Sequence, residues 1–98
     1  MNDELTLTHT SALILKVISG GCNYGFDIMG KTGLQSGTVY PALRRLEQSD
    51  LIQSKWEPGD AQDLQRPQRR YYRLTRKGER TLVKITQRYP LLENLTAD

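Results

Sequence analysis

Ninety-eight residues fill one small domain, expected to run from 1 to 98, and leave no room for a catalytic domain beside it. The net charge of +3 is unevenly held: residues 1–35 set Asp3, Glu4 and Asp27 against Lys16 and Lys31, while residues 66–80 set Arg66, Arg69, Arg70, Arg73, Arg76, Lys77 and Arg80 against Glu79 alone, which points to a polyanion as partner. A single cysteine, Cys22, excludes an intrachain disulfide, and the longest apolar run, Ala12 to Leu15, is too short for a membrane span or a signal peptide, so the expected location is cytoplasmic.

Met1 to Glu4 is a short acidic start, expected to fray. From Thr8 to Ser19, Ala12, Leu13, Ile14, Leu15, Val17 and Ile18 are apolar over most of a helix circumference. Such a helix belongs at the centre of the core, with a flank at Leu13 and Val17 left for a partner subunit. Gly20 and Gly21 stop it. Asn23 to Thr32 supports a second, shorter helix with Asn23 as cap and Phe26, Ile28 and Met29 available for the core, and Gly33 to Gln35 is a turn.

The third helix starts at Ser36, with Ser36 or Gly37 as its cap and Pro41 at the edge of the first turn, where a missing donor costs little. Val39, Ala42, Leu43 and Leu46 share its inward face. Outward it presents Ser36 and Thr38, then Tyr40, then the paired Arg44 and Arg45, a polar and cationic strip one helix wide that fits a major groove. An ordinary amphipathic helix with a solvated arginine face reads the same way from this stretch alone. Two short helices around a glycine-containing turn, the second bearing the cationic face, outline a helix-turn-helix.

After Asp50 the period changes to two, predicting a strand over Leu51 to Trp56. Pro58 to Gln68 has no apolar period and reads as a loop, and Arg69 to Leu74 as the returning strand of a hairpin whose tip carries Arg66, Arg69 and Arg70. Thr75 caps a last helix of about 76–96, in which Leu82, Ile85, Tyr89 and Leu92 follow at spacings of three, four and three. That is a dimerisation seam, or else the face that packs on the chain's own core of about 8–75. Pro90 should kink this helix near Arg88. The predicted class is mainly α (α+β), a winged helix-turn-helix with a two-stranded wing and a C-terminal dimerisation helix.

The wording is more specific than the order of elements. Tyr24-Gly25-Phe26-Asp27-Ile28, then Ser36-Gly37-Thr38-Val39-Tyr40-Pro41-Ala42-Leu43-Arg44-Arg45-Leu46-Glu47, then Leu51-Ile52, then Arg66-Pro67 and Arg70-Tyr71-Tyr72-Arg73-Leu74-Thr75-Arg76-Lys77-Gly78 resemble the PadR family of bacterial transcription regulators over roughly residues 10 to 85. The resemblance implies a homodimeric repressor on an inverted-repeat double-stranded DNA operator. It puts Ser36, Thr38, Tyr40, Arg44 and Arg45 on the reading helix, Tyr24 near a phosphate, and the wing arginines Arg66, Arg69, Arg70 and Arg73 on the DNA backbone. Two features depart from the family pattern. The wing loop is longer and acidic at Asp60 and Asp63, and the C-terminal part is short and broken by Pro90 where many members have long helices that help form a ligand cavity.

Other classes fit less well. A winged-helix adaptor that binds only protein would explain the seam and Trp56, but not the basic bias of residues 66–80. An enzyme is not expected: His9 is a lone histidine, Cys22 has no relay partner, the two are too few for a metal site, and Gly20-Gly21 lacks the lysine and hydroxyl of a phosphate loop. A thiol sensor at Cys22 is a minor alternative. No cofactor is expected, and a small aromatic effector would enter an apolar dimer cavity between the first and last helices.

Overall fold

A computed structural model of the chain describes residues 8–88. In chain order it contains α1 (His9–Ser19), α2 (Gly25–Thr32), α3 (Ser36–Gln48), β1 (Ile52–Trp56), α4 (Ala61–Leu64), β2 (Arg70–Leu74) and α5 (Arg76–Arg88). Thr8 caps α1, its Oγ1 accepting the Ser11 N–H at 3.1 Å. Ala12, Ile14, Leu15, Val17 and Ile18 are all buried, so α1 is the central helix and touches α2, α3, α5 and β2.

The second helix starts later than expected, at Gly25, with Tyr24 rather than Asn23 as the flanking residue. Asn23 is used otherwise: its carbonyl accepts the Tyr72 N–H at 2.7 Å, and Tyr24 bridges Tyr71, so residues 23 and 24 lie extended along the free edge of β2. Phe26, expected in the core, is 73% exposed, because it lies two residues from Ile28, on the far side of a helix whose inward side is taken by Gly25, Ile28 and, in part, Met29. Gly33 ends the helix at φ +75°, a left-handed conformation that favours glycine, and donates to the Met29 carbonyl at 2.8 Å.

Gln35, not Ser36 or Gly37, is the N-cap of α3, and Pro41 lies inside the helix rather than at its first turn. The acceptor that Pro41 leaves unused is the carbonyl of Gly37, an exposed residue that water can reach, so the helix tolerates the ring. Asp50 at φ +62° turns the chain into β1. β1 and β2 pair antiparallel in the register Ile52↔Leu74, Ser54↔Tyr72 and Trp56↔Arg70.

The segment expected as a structureless loop contains α4, capped by Asp60, whose carboxylate accepts the Asp63 N–H at 2.9 Å. One turn of helix is too short to display an apolar period. Its signal is the cap.

Thr75 caps α5 as expected, accepting the Gly78 N–H at 2.9 Å. The first turn of α5 is clamped to the α3–β1 junction by three bonds: Thr75 N–H to the Leu51 carbonyl at 3.0 Å, Thr75 Oγ1 to the Asp50 carbonyl at 2.7 Å, and Lys77 Nζ to the Ser49 carbonyl at 3.1 Å. Gly78 sits directly against the Leu51 carbonyl, where a Cβ would overlap the oxygen.

The expected dimer seam is corrected in part. Val17, Leu82 and Ile85 are buried in the chain's own core, and Leu13 is half-buried against it. Spacings of three and four look alike whether the face meets its own domain or another chain. Tyr89, Pro90 and Leu92 lie outside the described residues. The apolar side chain that α5 turns outward is Val83, 56% exposed.

Candidate nucleic-acid interface

The inward face of α3 is closed: Val39 and Ala42 are fully buried, and Leu43 and Leu46 are 1% exposed. Its outward residues Ser36, Gly37, Thr38, Tyr40, Arg44 and Arg45 are all exposed, as helical spacing requires. Neither guanidinium of the arginine pair has an ion-pair or hydrogen-bond partner among the described residues. Two fixed positive charges therefore stand bare on a helix whose other side is core.

Tyr40 is positioned by its neighbour helix. Its ring covers the start of α2, where a Cβ on Gly25 would come within 2.7 Å of the ring carbon Cε1 and closer still to the hydroxyl. Gly25 thus makes room for Tyr40, which explains why a glycine follows Tyr24. Gly25→Ala should displace the ring tip, a soft obstacle, while helix propensity changes stability by less than about 1 kcal/mol. The expected outcome is DNA affinity lowered about tenfold with a nearly unchanged melting temperature, measured by fluorescence anisotropy and thermal denaturation.

The basic residues of the wing are divided between its two faces. Side chains alternate along β2, so Arg70 turns toward α3 with Ser54, Trp56 and Tyr72, whereas Arg73 turns outward with Gln53, Lys55 and Tyr71. Arg70 donates from Nε to Ser54 Oγ at 2.8 Å and pairs with Glu47 of α3 at 3.2 Å, and Ser54 Oγ donates to Glu47 at 2.6 Å. Arg73 donates to Gln53 Oε1 at 3.1 Å on the outer face. Arg69 lies with its guanidinium 4.3 Å over the Tyr24 ring, which in turn meets Tyr71 edge to face at 5.7 Å. The expectation that Arg66, Arg69 and Arg70 sit together at the tip is therefore corrected. Alternation separates Arg69 from Arg70, and an acid captures Arg66.

That acid is Glu57. It takes a two-pronged bond from Arg66 at 2.7 and 2.8 Å, the Arg69 N–H at 3.2 Å and the Tyr71 hydroxyl at 3.4 Å. Gln68 closes the same loop, donating to the carbonyls of Glu57 and Gly59. The Arg66 bonds, seconded by the Arg69 N–H, hold the Glu57 carboxyl down at about 2. A carboxylate held low in the folded chain contributes stability that is complete above its ordinary value of 4.5 and is lost as pH falls from there toward 2. The wing should thus stay clamped at pH 4 and loosen below about 3. A carboxyl-carbon NMR titration of Glu57 is expected to show a midpoint near 2, and a midpoint near 4.5 would contradict the clamp.

Sequence reasoning missed Glu47, Ser54 and Glu57, because their roles depend on hairpin register and not on any local motif. Cys22 is half-buried, and burial, with Asp27 second, pushes its thiol up, which disfavours the reactive thiolate of a sensor. A groove of about 490 Å³ opens on the outer face of the wing, lined in part by Asn23, Lys55, Tyr71 and Arg73.

A helix-turn-helix with a bare cationic second helix and a hairpin tied to its flank defines a winged-helix transcription regulator. The chain belongs to the PadR-like family of transcriptional regulators, whose family model matches residues 14–84. Among solved structures it is similar to a PadR-like transcription factor from Bacteroides fragilis, at 30% identity and a TM-score of 0.71 over 86% of this chain and 82% of that one. It is also similar to a PadR family transcription regulator from Clostridium difficile R20291, at 26% identity and a TM-score of 0.73 over 90% and 94% of the two chains. The PcaV transcriptional regulator of Streptomyces coelicolor, solved with its natural ligand, shares the fold at 19% identity and a TM-score of 0.74, over 91% of this chain and 60% of that one. No curated protein matches the chain.

Proposed function

We propose that the chain represses transcription by occupying an inverted-repeat operator as a homodimer, with α3 in the major groove. The observation that carries this is the unpartnered Arg44 and Arg45 on the outward face of α3. An adaptor that binds only protein has no use for them. Ser36, Thr38, Arg44 and Arg45 read base edges, with the arginines suited to two-pronged guanine contacts. Tyr40, Tyr24 and Arg69 meet the phosphate backbone at the start of α2. Arg66 and Arg70 hold the wing in place, and Arg73, on the far face, adds only long-range attraction.

The dimer forms through the half-buried flank at Leu13, through Val83 and through the chain beyond Arg88, where Tyr89 and Leu92 lie. One fold neighbour was solved with its natural ligand. In this chain a small aromatic effector would enter where the two subunits meet. No helix among the described residues is long and apolar enough to cross a membrane.

Anisotropy titrations on a duplex recovered by selection and on its scrambled counterpart, each at two salt concentrations, test the reading. Affinity should fall steeply with salt on both, and Arg69→Ala should weaken both alike. Equal affinity for the two duplexes would remove the sequence-specific part of the proposal.

A further inference from the structure

Trp56 is 57% exposed at the end of β1, although the same face of that strand buries Ile52 and bonds Ser54 to α3. An indole is a large surface to leave in water, and this one is held in a defined place. Its strand partner is Arg70, whose guanidinium lies 5.8 Å from the indole centre and is anchored to Ser54 and to Glu47 of α3. Glu47 stands one helical turn after Arg44, on the same side of α3.

On the reading of α3 as the DNA-binding helix, we infer that Trp56 is a backbone contact of the wing, its ring packed on the sugar–phosphate chain bordering the groove that α3 enters. Glu47 neutralises Arg70, so the guanidinium offers little net charge to a phosphate there. What remains for the duplex is a flat apolar ring with one N–H donor, a shape and polarity that suit a deoxyribose and its phosphate. Through Arg70 and Glu47 the indole adjoins α3 one helical turn from Arg44, on the side of the wing that faces the reading helix, which favours DNA over a second copy of the chain as its occupant.

Trp56 is the one tryptophan in the sequence, so intrinsic fluorescence reports on it alone. The full-length protein is titrated with a labelled duplex while duplex anisotropy and tryptophan emission are followed together. Emission should change, and acrylamide quenching should fall, with the same saturation point as the anisotropy. Trp56→Ala should bind about tenfold more weakly on specific and random duplexes alike, with Trp56→Phe recovering part of the loss. Anisotropy that rises while emission, quenching and the affinity of Trp56→Ala stay unchanged would overturn the Trp56 contact and leave DNA binding standing. Quenching that falls with protein concentration in the absence of DNA would make the indole a subunit contact and overturn it as well. No anisotropy change on any duplex would remove the DNA-binding reading itself.

Discussion

Replacing Arg44 and Arg45 together by alanine should lower affinity for a specific duplex by about a thousandfold, which corresponds to about 2 kcal/mol for each lost guanine contact. Both side chains are exposed and make no hydrogen bond or ion pair within the described chain, so stability should move by less than about 0.5 kcal/mol. A large binding loss without a folding loss is the signature of a contact surface. Arg44→Ala alone should relax sequence preference, narrowing the gap between specific and scrambled duplexes. If the pair instead touched only phosphates, both duplexes would lose affinity equally, and the slope of log affinity against log salt would fall by about 0.9 per arginine. Anisotropy on two duplexes at several salt concentrations separates these outcomes.

Gly78→Ala should have the largest effect on folding. The new Cβ would overlap the Leu51 carbonyl, and that oxygen is backbone, fixed by the Thr75 N–H and by its place at the α3–β1 junction. Neither side can give way without breaking the clamp between α5 and β1. Overpacking of this kind costs about 3 kcal/mol. A chain of this size holds only about 5 to 10 kcal/mol in all. The melting temperature should fall by roughly 12 °C or more. Gly30→Ala is the matched control, because nothing lies within 4 Å of its Cβ position and α2 should gain up to about 1 kcal/mol. Equal melting temperatures for the two variants would show that α5 does not rest on Leu51 as described.

Much of this architecture was readable from the chain alone where one residue type serves one local purpose. Thr75 as a cap, Gly33 as a helix end, the buried stripe of α3 and the central position of α1 all follow from local chemistry. The failures share a different cause. Phe26 is as apolar as Ile28, but the two face opposite ways on α2, and which is buried depends on the side that α2 turns to its neighbours. Leu82 and Ile85 have the spacing of a seam, and the same spacing serves a core. Asp60 announces a helix of a single turn that has no periodicity to support it.

At the candidate site, the exposed strip from Ser36 to Arg45 lies where the pattern puts it. The wing arginines do not, because their directions depend on strand parity and on two acids. Glu57 binds Arg66 and Glu47 binds Arg70, so part of the positive charge counted in residues 66–80 is spent within the fold. A charge count sees the cations and not their partners. The bare pair on α3 carries more weight for function than the total does.

Major-groove docking of α3 is tested most directly by ¹H–¹⁵N NMR spectra of the chain with and without a specific duplex. The Nε–H signals of Arg44 and Arg45 and the amides of Ser36 to Arg45 should shift the most, with smaller changes at Tyr24 and Arg69. If the largest shifts fell on α1 and α5 while those arginine signals stayed in place, α3 would not be the helix that meets DNA.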